Sequence, residues 1–260
     1  MSYRITGTGS CIPDITKKNS DFLKNKFLDI DGGKFQSSNS EIIEKFNSIT
    51  GISERRYAPD EINSSDLAAV AAGIAINDSK LDQETLDYII VAHNTGDISC
   101  SSGQVDTLPS IASRVKAKLK IKNPNCVAYD IICGCPGWVE GIIQAKSFIK
   151  SGMAKKCLVI ACDTLSRILD ENDRDSMIYA DGSGAIVLES DSSYDGGILS
   201  HKSATFTYEG ENDYIFYGSS YDTNKRTKSD QKFIKMQGRK VYEFALTNVP
   251  VAMKSCFDDT

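Results

Sequence analysis

One stretch, Asp130 to Trp138, narrows what this chain can fold into more than any other. The mostly apolar run Val127 to Ile132 reads as a buried strand, and it breaks at Cys133 and Gly134. Pro136 then opens a helical stretch that runs to about Lys150 and closes at Ser151 and Gly152. Proline suits the first helical position because the N–H it lacks would have no partner there. Cys135 is therefore the expected N-cap, with the amides of Gly137 and Trp138 aimed at its sulfur. The positive end of a helix dipole favours negative charge, and thiols placed there ionise more readily and become better nucleophiles. Strand, tight turn, nucleophile and helix follow the logic of a serine nucleophile elbow. The competing reading is a buried structural cysteine, a common fate of free thiols.

The rest of the 260 residues is ordinary in balance, 40% hydrophobic and 25% charged, with a net charge of −5 that does not favour nucleic acid. Lysines such as Lys116, Lys118, Lys120 and Lys122 read as a solvated face, and a local basic patch of this kind can attract an acidic carrier protein or a phosphate-bearing ligand. No run is long and apolar enough to span a bilayer, and the residues after Met1 lack a signal-peptide core, so the expected compartment is the cytoplasm, with no membrane partner. Several of the eight cysteines sit inside apolar runs, which fits reduced core thiols. The pair Cys133 and Cys135 is spaced too closely for the usual metal or redox motifs, and only two histidines are present, so no metal is expected.

Taken in order, Tyr3 to Ser10 begins as a short strand and turns on its glycines. Glu41 to Phe46 is helical in pattern, and Ser64 to Asp66 caps an alanine-rich helix from Leu67 to Asn77 that can pack closely. Leu86 to Ala92 is a strand ending at His93, and Leu108-Pro109 opens a helix with Ile111, Val115 and Leu119 at helical spacing. Cys157–Ala161 is a strand, and Asp181 to Ala185 is a glycine turn, letting backbones approach closely, that continues as the strand Ile186–Leu188. A new strand is expected from Ile198, a polar loop from Asn212 to Asp230, and a last helix from about Gln237 to Cys256, interrupted or kinked at Pro250. Alternating strands and helices give an α/β layered fold with helices on both faces of a sheet. His93 and His201 read as satisfied or solvent-facing side chains, and the glycines after Asp181 lack the G-K-S/T of a phosphate loop.

These residues resemble the β-ketoacyl-acyl carrier protein synthase III group of the thiolase superfamily. The matching features are Gly7 to Ser10 with Pro13, Thr50-Gly51-Ile52 with Glu54 and Arg55, and Asp130 five residues before Cys135. Gly137, Lys150 to Gly152, Asp163 to Arg167, Asp173-Arg174, Asp181 to Ala185 and Met236 to Gly238 follow in family-like order. The resemblance implies a thiolase-like layered α-β-α-β-α fold, with residues 1–190 forming the half that carries the nucleophile and 191–260 beginning a second half that is incomplete. It also implies that Cys135 takes an acyl group from an acyl-CoA or acyl-ACP thioester, its own N–H giving half of the oxyanion hole. Malonyl-ACP is then decarboxylated and joined by Claisen condensation, in fatty acid or polyketide-type biosynthesis, with no permanently bound cofactor.

By the same resemblance Arg174 lies near the coenzyme A phosphates and adenine; otherwise it is a surface ion-pair partner of Asp173 or Asp175. Leu108 matches a position where the partner subunit of a homodimer closes the acyl pocket, or is simply the apolar start of a core helix. Met236 and Gly238 match positions lining the thioester tunnel, or form a plain loop-to-helix turn. Two departures stand out. Lys45 and Ile49 replace the tryptophan and arginine that sandwich adenine in many members, which favours a carrier-bound or unusual acyl donor. The family's condensing histidine, asparagine and glycine-rich loop are not found up to Thr260, so this stretch alone is expected to be acylated without condensing. Alternatives are a cysteine acyltransferase that does not decarboxylate and a non-catalytic thiolase-fold partner subunit.

Overall fold

The computed structural model describes residues 2–227 and 230–260. In chain order the strands are β1 (Tyr3–Cys11), β2 (Ile15–Lys18), β3 (Glu54–Tyr57), β4 (Tyr88–His93), β5 (Asp97–Ile98), β6 (Val105–Asp106), β7 (Val127–Ile132), β8 (Lys156–Thr164), β9 (Asp181–Ser190), β10 (Ile215–Gly218) and β11 (Phe233–Met236). The helices are α1 (Asn39–Thr50), α2 (Ser64–Ser79), α3 (Ile111–Lys118), α4 (Gly137–Lys150), α5 (Thr223–Arg226) and α6 (Gly238–Asp258). They form two compact units, one of residues 1–14, 58–164 and 181–201, the other of 15–57, 165–180 and 202–260.

The first unit is built on a five-stranded sheet in the order β1-β9-β8-β4-β7. β7 and β8 run parallel to β4, while β9 is antiparallel to both β8 and β1. Side chains alternate across a strand. Leu158, Ile160 and Cys162 therefore join Val187, α2 and α3 on one face, whereas Cys157 and Val159 join Ile186, Leu188 and α4 on the other. The result is the expected three-layer arrangement around a dry sheet.

Glycines explain how closely the layers meet. A Cβ on Gly7 would lie 2.1 Å from the Ala75 carbonyl oxygen, and one on Gly9 would lie 2.1 Å from that of Ala71. The alanine face of α2 thus rests directly on β1, with Ala68, Ala71, Ala72 and Ala75 fully buried. These glycines do not form a turn, as their sequence suggested. They sit inside a nine-residue strand and make room for a helix.

Other boundaries also differ. α2 starts a few residues early, with Asn63 as N-cap and the Asp66 carboxylate accepting its N–H at 2.8 Å. Asp181 to Ala185 is continuous strand, and nothing lies within 4 Å of a Cβ on Gly184, so no close backbone approach explains that glycine. Residues from Ile198 form no strand; Ile198 packs against the α4-side core and its carbonyl accepts the Tyr3 hydroxyl at 3.0 Å. β7 is not buried but lies at the sheet edge, with Val127 46% and Ile132 71% exposed.

In the second unit, β2 and β3 pair antiparallel and α1 covers a small core of Phe22, Phe27, Ile42 and Met177. α1 is closed at its start by the reciprocal Ser38–Glu41 capping box and at its end by left-handed Gly51. The expected loop from Asn212 to Asp230 contains strand β10, paired with β11, and the short helix α5, while Lys228 and Ser229 lie outside the described residues. α6 runs through Pro250 without interruption.

Candidate active site

β7 ends at Ile132, and the Cys133 N–H continues the parallel pairing by donating to the His93 carbonyl at 3.2 Å. The chain then bends at Gly134, and the Gly137 N–H returns to the Gly134 carbonyl at 2.7 Å. That closes a four-residue turn with Cys135 and Pro136 at its outer corner. α4 begins at Gly137 with Pro136, already in helical geometry, as its N-cap. The helix therefore starts later than the sequence suggests, and Cys135 precedes the cap. The Gly137 amide is held by a carbonyl rather than directed at the sulfur. Cys135 is exposed, so it is not a structural core cysteine. Among the described residues its N–H has no protein acceptor.

Small residues let this turn sit hard against the sheet. A Cβ at Gly137 would come 3.1 Å from both the Ala92 and Cys133 Cβ atoms, and one at Gly141 would be 2.9 Å from Val159 Cγ1. The start of α4 is therefore fixed by packing and has little room to shift.

A polar layer that sequence reasoning did not single out supports the strand ends. His93 is buried at 1% exposure, and its Nδ1 accepts the Gly96 N–H at 2.9 Å. Nε2 then carries the proton and donates to Asp130 Oδ2 at 3.0 Å. Asp130 also accepts the Ile111 N–H on Oδ2 and the Ala112 N–H on Oδ1, both at 2.7 Å. One carboxylate thus ties the strand that leads to the Cys135 turn to the start of α3 and to the loop after β4. Next to it, Asn94 gives its backbone N–H and its side-chain amide to Asp163 at 3.0 and 2.6 Å. Burial pushes the Asp163 carboxyl above the ordinary value, against the pull of both Asn94 bonds. The satisfied-histidine reading holds for His93, and His201 is exposed beside Lys146, with 3.4 Å between Nζ and Nδ1.

Leu108 belongs to the same unit. It does not begin a core helix: α3 starts at Ile111 with Ser110 as N-cap, and Leu108 stands 83% exposed. Arg114 holds the loop by donating to the Leu108 carbonyl at 2.9 Å and to Asp97 at 2.7 Å.

Arg174, Met236 and Gly238 belong to the second unit, where they are neighbours. Arg174 follows the N-cap Asp173 of a short 3-10 helix, is half exposed, and lies with its guanidinium 4.5 Å from the Phe35 ring centre. Its contact with Asp175 is long, 3.9 Å. The Asp175 carboxylate accepts the Gly238 N–H, and burial still raises its pKa above the usual value. A Cβ on Gly238 would lie 3.2 Å from Asp175 and 3.6 Å from the end of Met236. Lys45 and Ile49 are exposed on α1. A groove of about 540 Å³ beside Lys18, Glu44, Asn47 and Glu54 contains none of these residues. Among the described residues no cluster of metal-ligating side chains is found, and no helix is long and apolar enough to cross a membrane.

The layered sheet, the glycine-packed turn and the cysteine at the head of α4 define a thiolase-like protein. Residues 129–205 match the family described as 3-Oxoacyl-[acyl-carrier-protein (ACP)] synthase III. A β-ketoacyl-[acyl-carrier-protein] synthase III of Vibrio vulnificus is 34% identical over 260 residues, 99% of this chain and 72% of its own length. The Neisseria gonorrhoeae protein of that name is 39% identical over 190 residues, 72% of this chain and 52% of its own. The crystal structure of the Pseudomonas aeruginosa 3-oxoacyl-(acyl carrier protein) synthase III superposes with a TM-score of 0.77 at 26% identity, covering 100% of this chain and 71% of that one. The chain belongs to the β-ketoacyl-acyl carrier protein synthase III family.

Proposed function

We propose that Cys135 is the acyl-accepting nucleophile of a condensing enzyme working with acyl thioesters and acyl carrier protein. The observation that carries this is the exposed Cys135 in a packed turn ahead of α4, its own N–H without a protein acceptor among the described residues. The thiolate attacks the thioester carbonyl, and the Cys135 N–H donates to the oxyanion that forms. Collapse of the tetrahedral intermediate expels the donor thiolate and leaves the acyl group on Cys135. The acceptor, malonyl-ACP, then loses carbon dioxide, and its enolate attacks the acyl-enzyme in a Claisen condensation that frees Cys135.

Arg174 takes the phosphate end of the donor, and Met236 and Gly238 line its approach. Support comes from their contiguity within one unit and from the half-exposed guanidinium. Leu108 projects into the acyl pocket of a partner subunit in a homodimer, a role suited to a side chain 83% exposed on a loop held by Arg114. The unpaired edge of β7 is the natural strand for a two-fold sheet junction. No permanently bound cofactor is needed, and the working compartment is the cytoplasm, where acyl carrier protein is met in solution.

Residues 1–190 form one thiolase-like half, and residues 191–260 belong to a second. Helix α6 of that second part buries no residue and leaves Leu246, Val251 and Phe257 exposed. His93 has both ring nitrogens engaged and is not the condensing histidine. Residues 1–260 carry Cys135 and with it the acylation half-reaction. Incubation with acyl-CoA or acyl-ACP followed by intact-mass measurement tests this: wild type gains one acyl group and Cys135→Ser gains none. A β-ketoacyl product formed from malonyl thioester by residues 1–260 alone would refute the division of labour.

A further inference from the structure

Within the second unit lies a buried charge cluster with no part in the chemistry described above. Lys235, on β11, has a side chain at 0% exposure. Its Nζ lies 2.6 Å from Asp170 Oδ2, 3.3 Å from Asp173 Oδ2 and 3.5 Å from the centre of the Tyr221 ring. Asp170 is saturated, also accepting from the Tyr221 N–H at 2.7 Å, the Ser220 hydroxyl at 3.0 Å and the Asn172 N–H at 3.2 Å. Asp173 caps the short helix that begins with Arg174, accepting the Asp175 N–H at 2.9 Å. Asp175 in turn takes the Gly238 N–H.

The chain from Asp170 to Asp175 thus holds four carboxylates around a single cation, Arg174. A ligand bearing phosphates would be repelled from such a segment unless the acids were answered. Glu171 is paired with Lys225 at 2.5 Å on the surface, and Asp175 is engaged by Gly238. The two remaining carboxylates are both met by Lys235, which is followed directly by Met236. Burying one cation between two acids is unfavourable unless every partner is placed, and here each is.

We infer that Lys235 is a positioning residue of the thioester-donor site: it neutralises Asp170 and Asp173 and locks the Arg174 turn to the Met236–Gly238 segment, so that Arg174 meets an anionic phosphate in a fixed pose. The inference rests on the reading of Arg174 as the phosphate contact. It applies only to donors with a phosphate handle and leaves Cys135 chemistry untouched.

Cys135 acylation by the full chain is measured with two donors: acyl-CoA, and the same acyl group on N-acetylcysteamine, which has no phosphate. Lys235→Met is expected to raise the KM for acyl-CoA about tenfold or more, the usual scale for uncovering a buried charge. The maximal acylation rate and the reaction with the N-acetylcysteamine donor should stay within about twofold. If that variant does not fold, Asp173→Asn serves: it keeps the acceptor for the Asp175 N–H but turns its NH₂ toward the Lys235 ammonium, which breaks the link between Lys235 and the Arg174 turn and should raise the acyl-CoA KM about two- to fivefold while leaving the N-acetylcysteamine reaction unchanged. Parallel losses with both donors in Lys235→Met, or an unchanged KM in Asp173→Asn, would overturn the role of Lys235. Arg174→Ala separates the two ideas. Selective loss toward acyl-CoA there, with none in Lys235→Met, refutes Lys235 alone, whereas no loss in Arg174→Ala refutes the donor reading itself.

Discussion

Replacing Asp130 by asparagine changes one atom and should disturb three elements. The carboxylate takes two donors on Oδ2, from His93 and Ile111, and one on Oδ1, from Ala112. An asparagine oriented with its oxygen in the Oδ2 place keeps the first two but sets its NH₂ against the Ala112 N–H. Turned over, it opposes both of the others. His93 cannot relieve this by moving its proton, because Nδ1–H would then face the Gly96 N–H that now donates to it. The best arrangement therefore leaves one donor orphaned, at about 1–3 kcal/mol, and weakens two charge-assisted bonds. Loss of a negative charge at the start of α3 adds roughly 0.3–1 kcal/mol. The sum, about 2–4 kcal/mol, corresponds to a fall in Tm of roughly 5–15 °C for a chain of this size. Differential scanning fluorimetry reads it, alongside the rate of Cys135 acylation, which should fall as the strand before the turn loosens. A Tm within about 1 °C of wild type would show that the carboxylate is not the anchor and that the hydrogen-bond argument is wrong.

Cys135→Ser should abolish the acyl adduct seen by intact mass, while Cys133→Ser keeps it, because only the former sulfur is exposed at the corner of the turn. Gly9→Ala should lower Tm severely or prevent folding, since the new Cβ would sit 2.1 Å from the Ala71 carbonyl oxygen, with circular dichroism and soluble yield as readouts. Leu108→Ala should leave Tm within about 1 °C, as expected of an exposed side chain, yet shift the preferred acyl-chain length in a donor series. Acid titration should report Asp170. Burial alone would raise its carboxyl, but the bonds from Lys235 and the Tyr221 N–H hold it below the ordinary value. A depressed carboxyl stabilises the fold above its unfolded pKa of about 3.9 and loses that contribution as pH falls toward the lower folded value. Wild type should therefore lose stability more steeply below about pH 4 than Asp170→Asn, which urea midpoints across that range can measure.

How far the sequence alone reaches depends on what each feature rests on. The βα unit around Cys135 is legible because an apolar run, a Cys-Gly break and Pro136 are local signals, and the turn they encode is local too. Its detail is not: whether the helix starts at Pro136 or Gly137 turns on one hydrogen bond, from Gly137 to Gly134. Gly7 and Gly9 mislead for a physical reason, since a glycine that makes space for a helix looks the same in sequence as one that makes a turn. β7 reads as buried because its residues are apolar, but its place at a sheet edge is a matter of strand order. β10 hides in a polar stretch because its partner β11 lies beyond it. The supports of the site are least visible. Nothing near Asp130 in sequence points to His93 or Ile111, and nothing near Lys235 points to Asp170, 65 residues away.

The same distinction bears on donor choice. The departures at Lys45 and Ile49 remove an aromatic and a cationic face, and both positions are exposed on α1 with no ring in their place. Arg174 remains, but one face of its guanidinium is already against Phe35 at 4.5 Å. A planar cation covered on one side is a poorer platform for a base, whereas its N–H edge, which suits phosphate oxygens, is not used up by the long contact to Asp175. With Arg174 read as the proposed phosphate contact, phosphate recognition would survive without base stacking. An acyl group on the phosphopantetheine arm of a carrier protein offers a phosphodiester and no adenine, so it loses nothing by that change. Acyl-CoA loses the stacking its adenine would have gained. The expected consequence is a lower KM for acyl-ACP than for acyl-CoA carrying the same chain, with Phe35→Ala, which uncovers the guanidinium face, narrowing the gap. Equal KM values for the two donors, unaffected by Phe35→Ala, would mean that the Arg174 face does not discriminate between them.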